Sequence, residues 1–209
     1  MSSPFLYSFY RCPYAMRARL ALLHNAIDIY VREVSLKDKP EDMLQYSPKG
    51  TVPVMVLPQG EIIDESLDIV KWAYKNQYVD QQEQACIDEF QENFVKHVYP
   101  WKYPDRFPHL DRKEVKNILK SYTIKTLVPI LSERGYLFTK PFGQAEVVML
   151  PFFRQAYQAD DSFLSAPELE VVRLWIEDRV ATTLFMKSMQ KNTLWNKQKN
   201  NQFLLTIND

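Results

Sequence analysis

Glycine is scarce in this chain, with four among 209 residues. No Gly-x-Gly-x-x-Gly fingerprint, Walker loop or Gly-x-Ser-x-Gly elbow occurs, which sets aside the usual dinucleotide, P-loop and serine-hydrolase chemistries. Cysteine is scarcer still. Cys12 and Cys86 lie far apart, so a reducing, cytoplasmic setting without a disulfide framework is expected. The three histidines, His24, His97 and His109, show no metal-ligand spacing, and no metal is expected. Basic and acidic residues balance at 26 each, which argues against a nucleic-acid partner and against an acidic tail. No apolar run approaches the ~20 residues that span a bilayer, and the first residues lack a signal-peptide pattern, so no membrane partner is expected.

The chain is long enough for one large or two small domains, and can bury roughly 70 % of its unfolded surface without staples. Its first third alternates element types. Phe5 to Tyr10 is a short aromatic run, as strands are. Pro13 suits a first helical position, and Met16, Leu20 and Leu23 follow at helical spacing. Ile27, Ile29 and Val31 alternate with polar residues as a strand does. A short helix after Pro40 is followed by a strand at Val54–Leu57. Pro58-Gln59-Gly60 turns the chain back into Glu61-Ile62-Ile63. Asp64-Glu65-Ser66 then opens a helix carrying Leu67, Val70 and Ala73. The order is β-α-β-α-β-β-α, ending near Tyr78.

The rest reads as helix. Phe90 and Phe94 mark one face, and Pro100 to Pro108 is an aromatic, proline-rich break. Asp111 with Glu114 has the logic of a capping box. Pro129 is expected to kink its helix, and Gly135 to close it. The domains expected are 1–78, α/β, and 84–209, all-helical. The tail from Asn192 gives no clear pattern.

Three local features carry chemistry. Cys12, at a helix start, sees unpaired N–H groups and the positive end of the helix dipole, which favour the thiolate. The alternative is a small buried filler. Val52-Pro53 precedes a strand. A cis bond there would expose the Val52 backbone to a peptide-like ligand, whereas a trans proline would simply open the strand. Glu65 and Ser66 begin a helix, either holding ligand charges or only capping it. Cys86 sits beside Ile87 and Phe90 and reads as packing. Tyr99, Trp101, Tyr103 and Phe107 line an apolar pocket or anchor their loop.

The order of these features, followed by an all-helical region, resembles the glutathione transferase superfamily, with a thioredoxin-like first domain. Cys12-Pro13-Tyr14-Ala15 with Arg17 and Arg19, Pro48-Lys49-Gly50-Thr51-Val52-Pro53 and Glu65-Ser66-Leu67 look like its cysteine-type, omega class. The start of the chain also resembles the two-domain bacterial glutaredoxin, which has a second cysteine where this chain has Ala15. The resemblance implies glutathione as co-substrate. Cys12 would form the mixed disulfide, and Val52 before a cis-Pro53 would pair with the cysteinyl part. Glu65 and Ser66 would hold the γ-glutamyl end, and Lys39 the glycine carboxylate. Gly143-Gln144-Ala145-Glu146 aligns with a family helix cap but brings no side-chain oxygen at its first position. Tyr14, Tyr99, Trp101 and Tyr103 are candidate walls for a small apolar or glutathionylated second substrate, in a cleft between domains. A homodimer is implied as well.

With Ala15 in place of a second thiol, Cys12 needs glutathione to resolve its mixed disulfide. The expected function is therefore monothiol transfer or reduction, with dehydroascorbate reduction as a family-based extension. The alternatives are glutathione conjugation to apolar electrophiles, or a non-enzymatic transcription adaptor that has lost its ligand.

Overall fold

The structure, a computed structural model, describes residues 3–77, 80–138 and 142–208. The chain divides into two compact units, Met1–Gln77 with Thr182–Asp209, and Tyr78–Ala181. The first is built on a five-stranded sheet in the order β4-β3-β1-β2-β5. Strand β1 (Phe5–Ser8) leads through helix α1 (Pro13–His24) to β2 (Ile29–Glu33), which lies parallel to it. Such a parallel pair needs a crossover, and α1 supplies it. Helix α2 (Glu41–Tyr46) then leads to the hairpin β3 (Val54–Val56) and β4 (Ile62–Ile63). Helix α3 (Ser66–Ala73) closes the expected β-α-β-α-β-β-α series. Gly60 turns the hairpin at φ +90°, its N–H donating to the Leu57 carbonyl at 2.9 Å.

Helix α1 is buried on nearly every side, from Ala15 to Leu23. That burial takes Arg17 and Arg19 out of water, at 1 % and 3 % exposure. A buried guanidinium needs acceptors. Arg19 Nε donates to the Ser188 carbonyl at 2.6 Å, Nη2 to the Tyr10 carbonyl at 2.9 Å, and Nη1 to the Ser8 hydroxyl. Burial lowers its pKa to about 10, against attraction to Glu33 and Cys12. Arg19 thus joins the end of β1, the loop before α1 and the C-terminal segment.

That segment corrects the expected division. The helical unit stops at Ala181, and not at 209. Helix α10 (Thr183–Ser188) packs on α1, and β5 (Phe203–Leu205) pairs antiparallel with β2. The Trp195 N–H donates to the Glu33 carbonyl at 2.6 Å. These partners lie about 170 residues upstream, as the Arg32–Gln202 and Arg19–Ser188 separations show, so no local pattern announces them. The expected boundary at Tyr78 falls outside the described residues.

The second unit is helical: α4 (Gln81–Phe90), α5 (Lys96–Lys102), α6 (Arg112–Tyr122), α7 (Val128–Arg134), α8 (Gln144–Ala159) and α9 (Glu170–Val180). Phe90, Phe94 and Phe153 stack at its centre, with Phe94 and Phe153 centroids 4.1 Å apart. The helical run from α6 to α7 passes through a π-helical turn, Thr123–Leu127, and Pro129 lies just after it. Gly135 ends α7 at φ +71° as expected. Gly143 caps α8 without a side chain, and Glu83 of α4 supplies the oxygen instead, accepting from the Ala145 N–H at 2.9 Å. The fully buried Glu146 accepts from Leu137 N, Phe142 N, Trp175 Nε1 and Arg179 Nε at 2.6–3.0 Å. Among the described residues no helix is long and apolar enough to cross a membrane.

Arg19→Ala should lower stability by about 3 kcal/mol, because it strands several buried acceptors and the facing Glu33. Urea unfolding followed by far-UV circular dichroism measures this, and an unchanged midpoint would contradict the linking role.

Candidate active site

The end of β1 delivers the chain to a tight turn, where the Cys12 N–H donates to the Phe9 carbonyl at 3.0 Å. Cys12 is the N-cap of α1, in extended conformation, and Pro13 follows at the helix start. No acidic residue occupies the first turn, so nothing there opposes a thiolate. Cys12 is half-buried, its Sγ 3.8 Å from the Val52 carbonyl oxygen. The Val52–Pro53 peptide is cis. Because β3 begins at Val54, the Val52 backbone lies outside the strand pairing.

These residues line an open pocket of about 520 Å³. Glu65 is the N-cap of α3, and Ser66 opens the helix beside the pocket. Arg17 Nη1 donates to the Ser66 hydroxyl at 3.4 Å from beneath. Burial lowers the Arg17 pKa to about 9, while Tyr14 and Cys12 draw it back up. It stays cationic at neutral pH, and the same attraction favours the Cys12 thiolate.

At the pocket's other side, Lys49 Nζ sits 2.7 Å from Glu65 and 3.1 Å from Asp64. Those contacts, Glu65 first, raise the Lys49 pKa. Asp64 is held below the ordinary carboxylate range, chiefly by the Ser47 hydroxyl at 2.7 Å and then by Lys49, against the opposing effect of desolvation. Gly50 adopts φ +63°, and a Cβ there would lie 3.2 Å from Lys39 Nζ. Glycine at this position gives both the turn and the space for the lysine.

Cys12, Tyr14, Lys39, Val52, Pro53, Glu65 and Ser66 line one pocket; Tyr14, expected as a wall for a second substrate, lies in the same pocket as Cys12. Trp101 is a correction: it is 1 % exposed with its ring 4.9 Å from Phe163, a core residue and not a pocket wall. Tyr99 and Tyr103 remain at the surface of the second unit, rings 4.9 Å apart. Lys49 and Asp64 escaped notice as site residues. Pro48-Lys49-Gly50 was visible as a motif, but its ion pairs form only when α3 is brought alongside.

The fold and site define a protein with a thioredoxin-like, thiol-bearing unit and a separate helical unit. Residues 6–80 match the family profile described as glutathione S-transferase, N-terminal domain. Glutathione S-transferase omega-1 of Rattus norvegicus is 28% identical over 198 residues, spanning 87% of this chain and 80% of that protein. The Sus scrofa omega-1 protein is 43% identical over 61 residues, but the match spans only 29% of this chain and 25% of that protein. In fold, the chain is similar to a glutathione transferase family member from Pseudomonas fluorescens pf-5 solved with two glutathione bound. The TM-score is 0.75 at 14% identity, covering 90% of this chain and 92% of that one. Residues 6–80 thus carry a glutathione S-transferase N-terminal domain, and over most of its length the chain is similar to an omega-class glutathione transferase.

Asp64 stabilises the fold above the carboxylate range, and that contribution is lost as pH falls through its depressed pKa. Ser47→Ala should move the Asp64 titration to higher pH, read by carboxyl-carbon NMR; an unmoved titration would contradict the hydroxyl's role.

Proposed function

We propose that this protein is a glutathione-dependent thiol transferase working through Cys12 alone. The observation that carries the proposal is the isolation of this thiol at the mouth of a charged pocket. Ala15 occupies the place where a local resolving thiol would sit, and it is fully buried. The other cysteine, Cys86, lies buried in α4, and burial pushes its pKa up to about 11, so it stays an inert thiol at neutral pH.

In the reaction, the Cys12 thiolate attacks the glutathione sulfur of a mixed disulfide. A Cys12–glutathione disulfide forms, and the substrate leaves as a thiolate that takes a proton from water. A second glutathione, as thiolate, then attacks that disulfide, giving oxidised glutathione and restoring the Cys12 thiolate. One free glutathione is consumed per glutathionylated substrate, and the other half of the oxidised glutathione comes from the substrate's own glutathionyl group.

The pocket suits glutathione because its charges sit at both ends with free backbone between. Lys39, with no ion pair among the described residues, would take the glycine carboxylate. Val52 would pair its backbone with the cysteinyl unit. Ser66 and Glu65 would hold the γ-glutamyl group, whose carboxylate Lys49 also reaches. Charge-matched anchors with backbone pairing fit a peptide of this kind. The omega-1 names of the relatives support the same class of activity.

Thiol-transferase turnover of a glutathionylated peptide should fall at least about 100-fold in Cys12→Ser and stay within about twofold in Cys86→Ser. Full turnover by Cys12→Ser would sink the mechanism, and a gain of conjugating activity in that variant would point to the hydroxyl-type chemistry of other classes.

A further inference from the structure

Helix α2 has six residues and no side-chain cap at its start, so it cannot hold itself in place. Lys39, which the proposed function gives to the glycine carboxylate, stands two residues before it. What fastens α2 is Asp42. Its Oδ2 accepts from the Tyr7 hydroxyl at 2.7 Å and from the Trp195 indole N–H at 3.1 Å, with Arg32 Nη1 at 3.7 Å. Trp195 comes from the far end of the chain, 153 residues from Asp42.

The indole is itself firmly seated. It is 9% exposed and packs in one core cluster with Tyr7, Ala15, Met43, Val52 and Val54, against which Cys12 also rests. Arg32 lies over both its ring, at 4.2 Å, and that of Phe5, at 3.6 Å, and donates through Nε to Gln202 at 2.9 Å. The Trp195 backbone is fixed to β2 through Glu33. A second pocket of about 390 Å³ lies between the start of α2 and residues 195–198, and Lys39 lines it as well as the first. The short arm 38–40 is thus a wall with the candidate glutathione pocket on one side and the C-terminal segment on the other.

We infer that Trp195 is a positioning residue for that pocket: its indole N–H on Asp42 fastens α2, and through it the Lys39 arm. The C-terminal segment then sets the affinity for glutathione without taking part in the chemistry of Cys12. The affinity half of this inference rests on the proposed glutathione site; the fastening of α2 does not.

The test uses the full-length chain with Trp195→Phe, which keeps an apolar ring and loses the N–H, and Asp42→Ala, which removes the acceptor. Hydrogen exchange of residues 38–46 reads the fastening. Calorimetry with S-methylglutathione, which cannot form a disulfide, reads affinity. Alkylation of Cys12 by iodoacetamide serves as the readout that should not move. Both variants should exchange about tenfold faster over 41–46 and bind about five- to tenfold more weakly, with alkylation within about twofold. Because Asp42→Ala removes the Trp195 bond together with the contacts to Tyr7 and Arg32, the double variant should be no worse than about Asp42→Ala alone. Unchanged exchange in Trp195→Phe would overturn the inference, as would faster exchange with unchanged affinity. If the wild-type chain fails to bind S-methylglutathione, the glutathione reading and the affinity half fall together, and exchange alone decides the fastening. Should Trp195→Phe fail to fold, Trp195→Leu, which also lacks the indole N–H and leaves Asp42 with Tyr7 and Arg32, decides on the same readouts.

Discussion

Two guanidinium groups carried out of water by helix α1 organise the thiol-bearing unit. Arg17 and Arg19 sit on the helix that presents Cys12, where an unpaired charge would cost several kcal/mol. Their acceptors come from β1, the loop before the helix, the start of α3 and the end of α10. Satisfying Arg19 anchors the C-terminal segment, and Arg17 meets Ser66 at the pocket floor. Both charges are drawn to the Cys12 thiolate, so the groups that hold the fold together also favour the nucleophilic form. One burial problem and its solution therefore link the stability of this unit to its chemistry.

The pocket's own ion pairs are of another kind. Lys49 with Glu65 and Asp64 lies largely in solvent, where such pairs contribute little. A weak pair is readily exchanged. An incoming ligand with an ammonium and a carboxylate at one end can take Glu65 and Lys49 in turn without a large penalty. The buried Glu146 in the helical unit cannot be exchanged that way, since its donors Trp175 and Arg179 reach it within the core. The difference separates binding groups from structural ones better than residue type does.

Much of the site was legible because its signals are local. Pro13 after Cys12, Val52-Pro53 before β3 and Glu65-Ser66 at a helix start each announce a backbone position within a few residues. Their order then carried the family resemblance and the β-α-β-α-β-β-α series. What stayed hidden depends on distant pairing. Glu83 caps α8 from 62 residues away, and Trp195 reaches Asp42 across most of the chain. Phe203–Leu205 is too short to read as a strand until β2 offers it an edge. Trp101 looked like a pocket wall because it stands among loop aromatics, yet α5 continues through it and turns the ring toward Phe163. Pro100, which suggested a break, is accommodated inside that helix.

The most direct measurement is the intact mass of the chain after mild treatment with oxidised glutathione, followed by peptide mapping. A single glutathionyl adduct on Cys12, released by excess reduced glutathione, is the expected result. An adduct on Cys86, or none at all while Cys12 still reacts with iodoacetamide, would contradict the assignment of Cys12 as the lone glutathione-exchanging thiol.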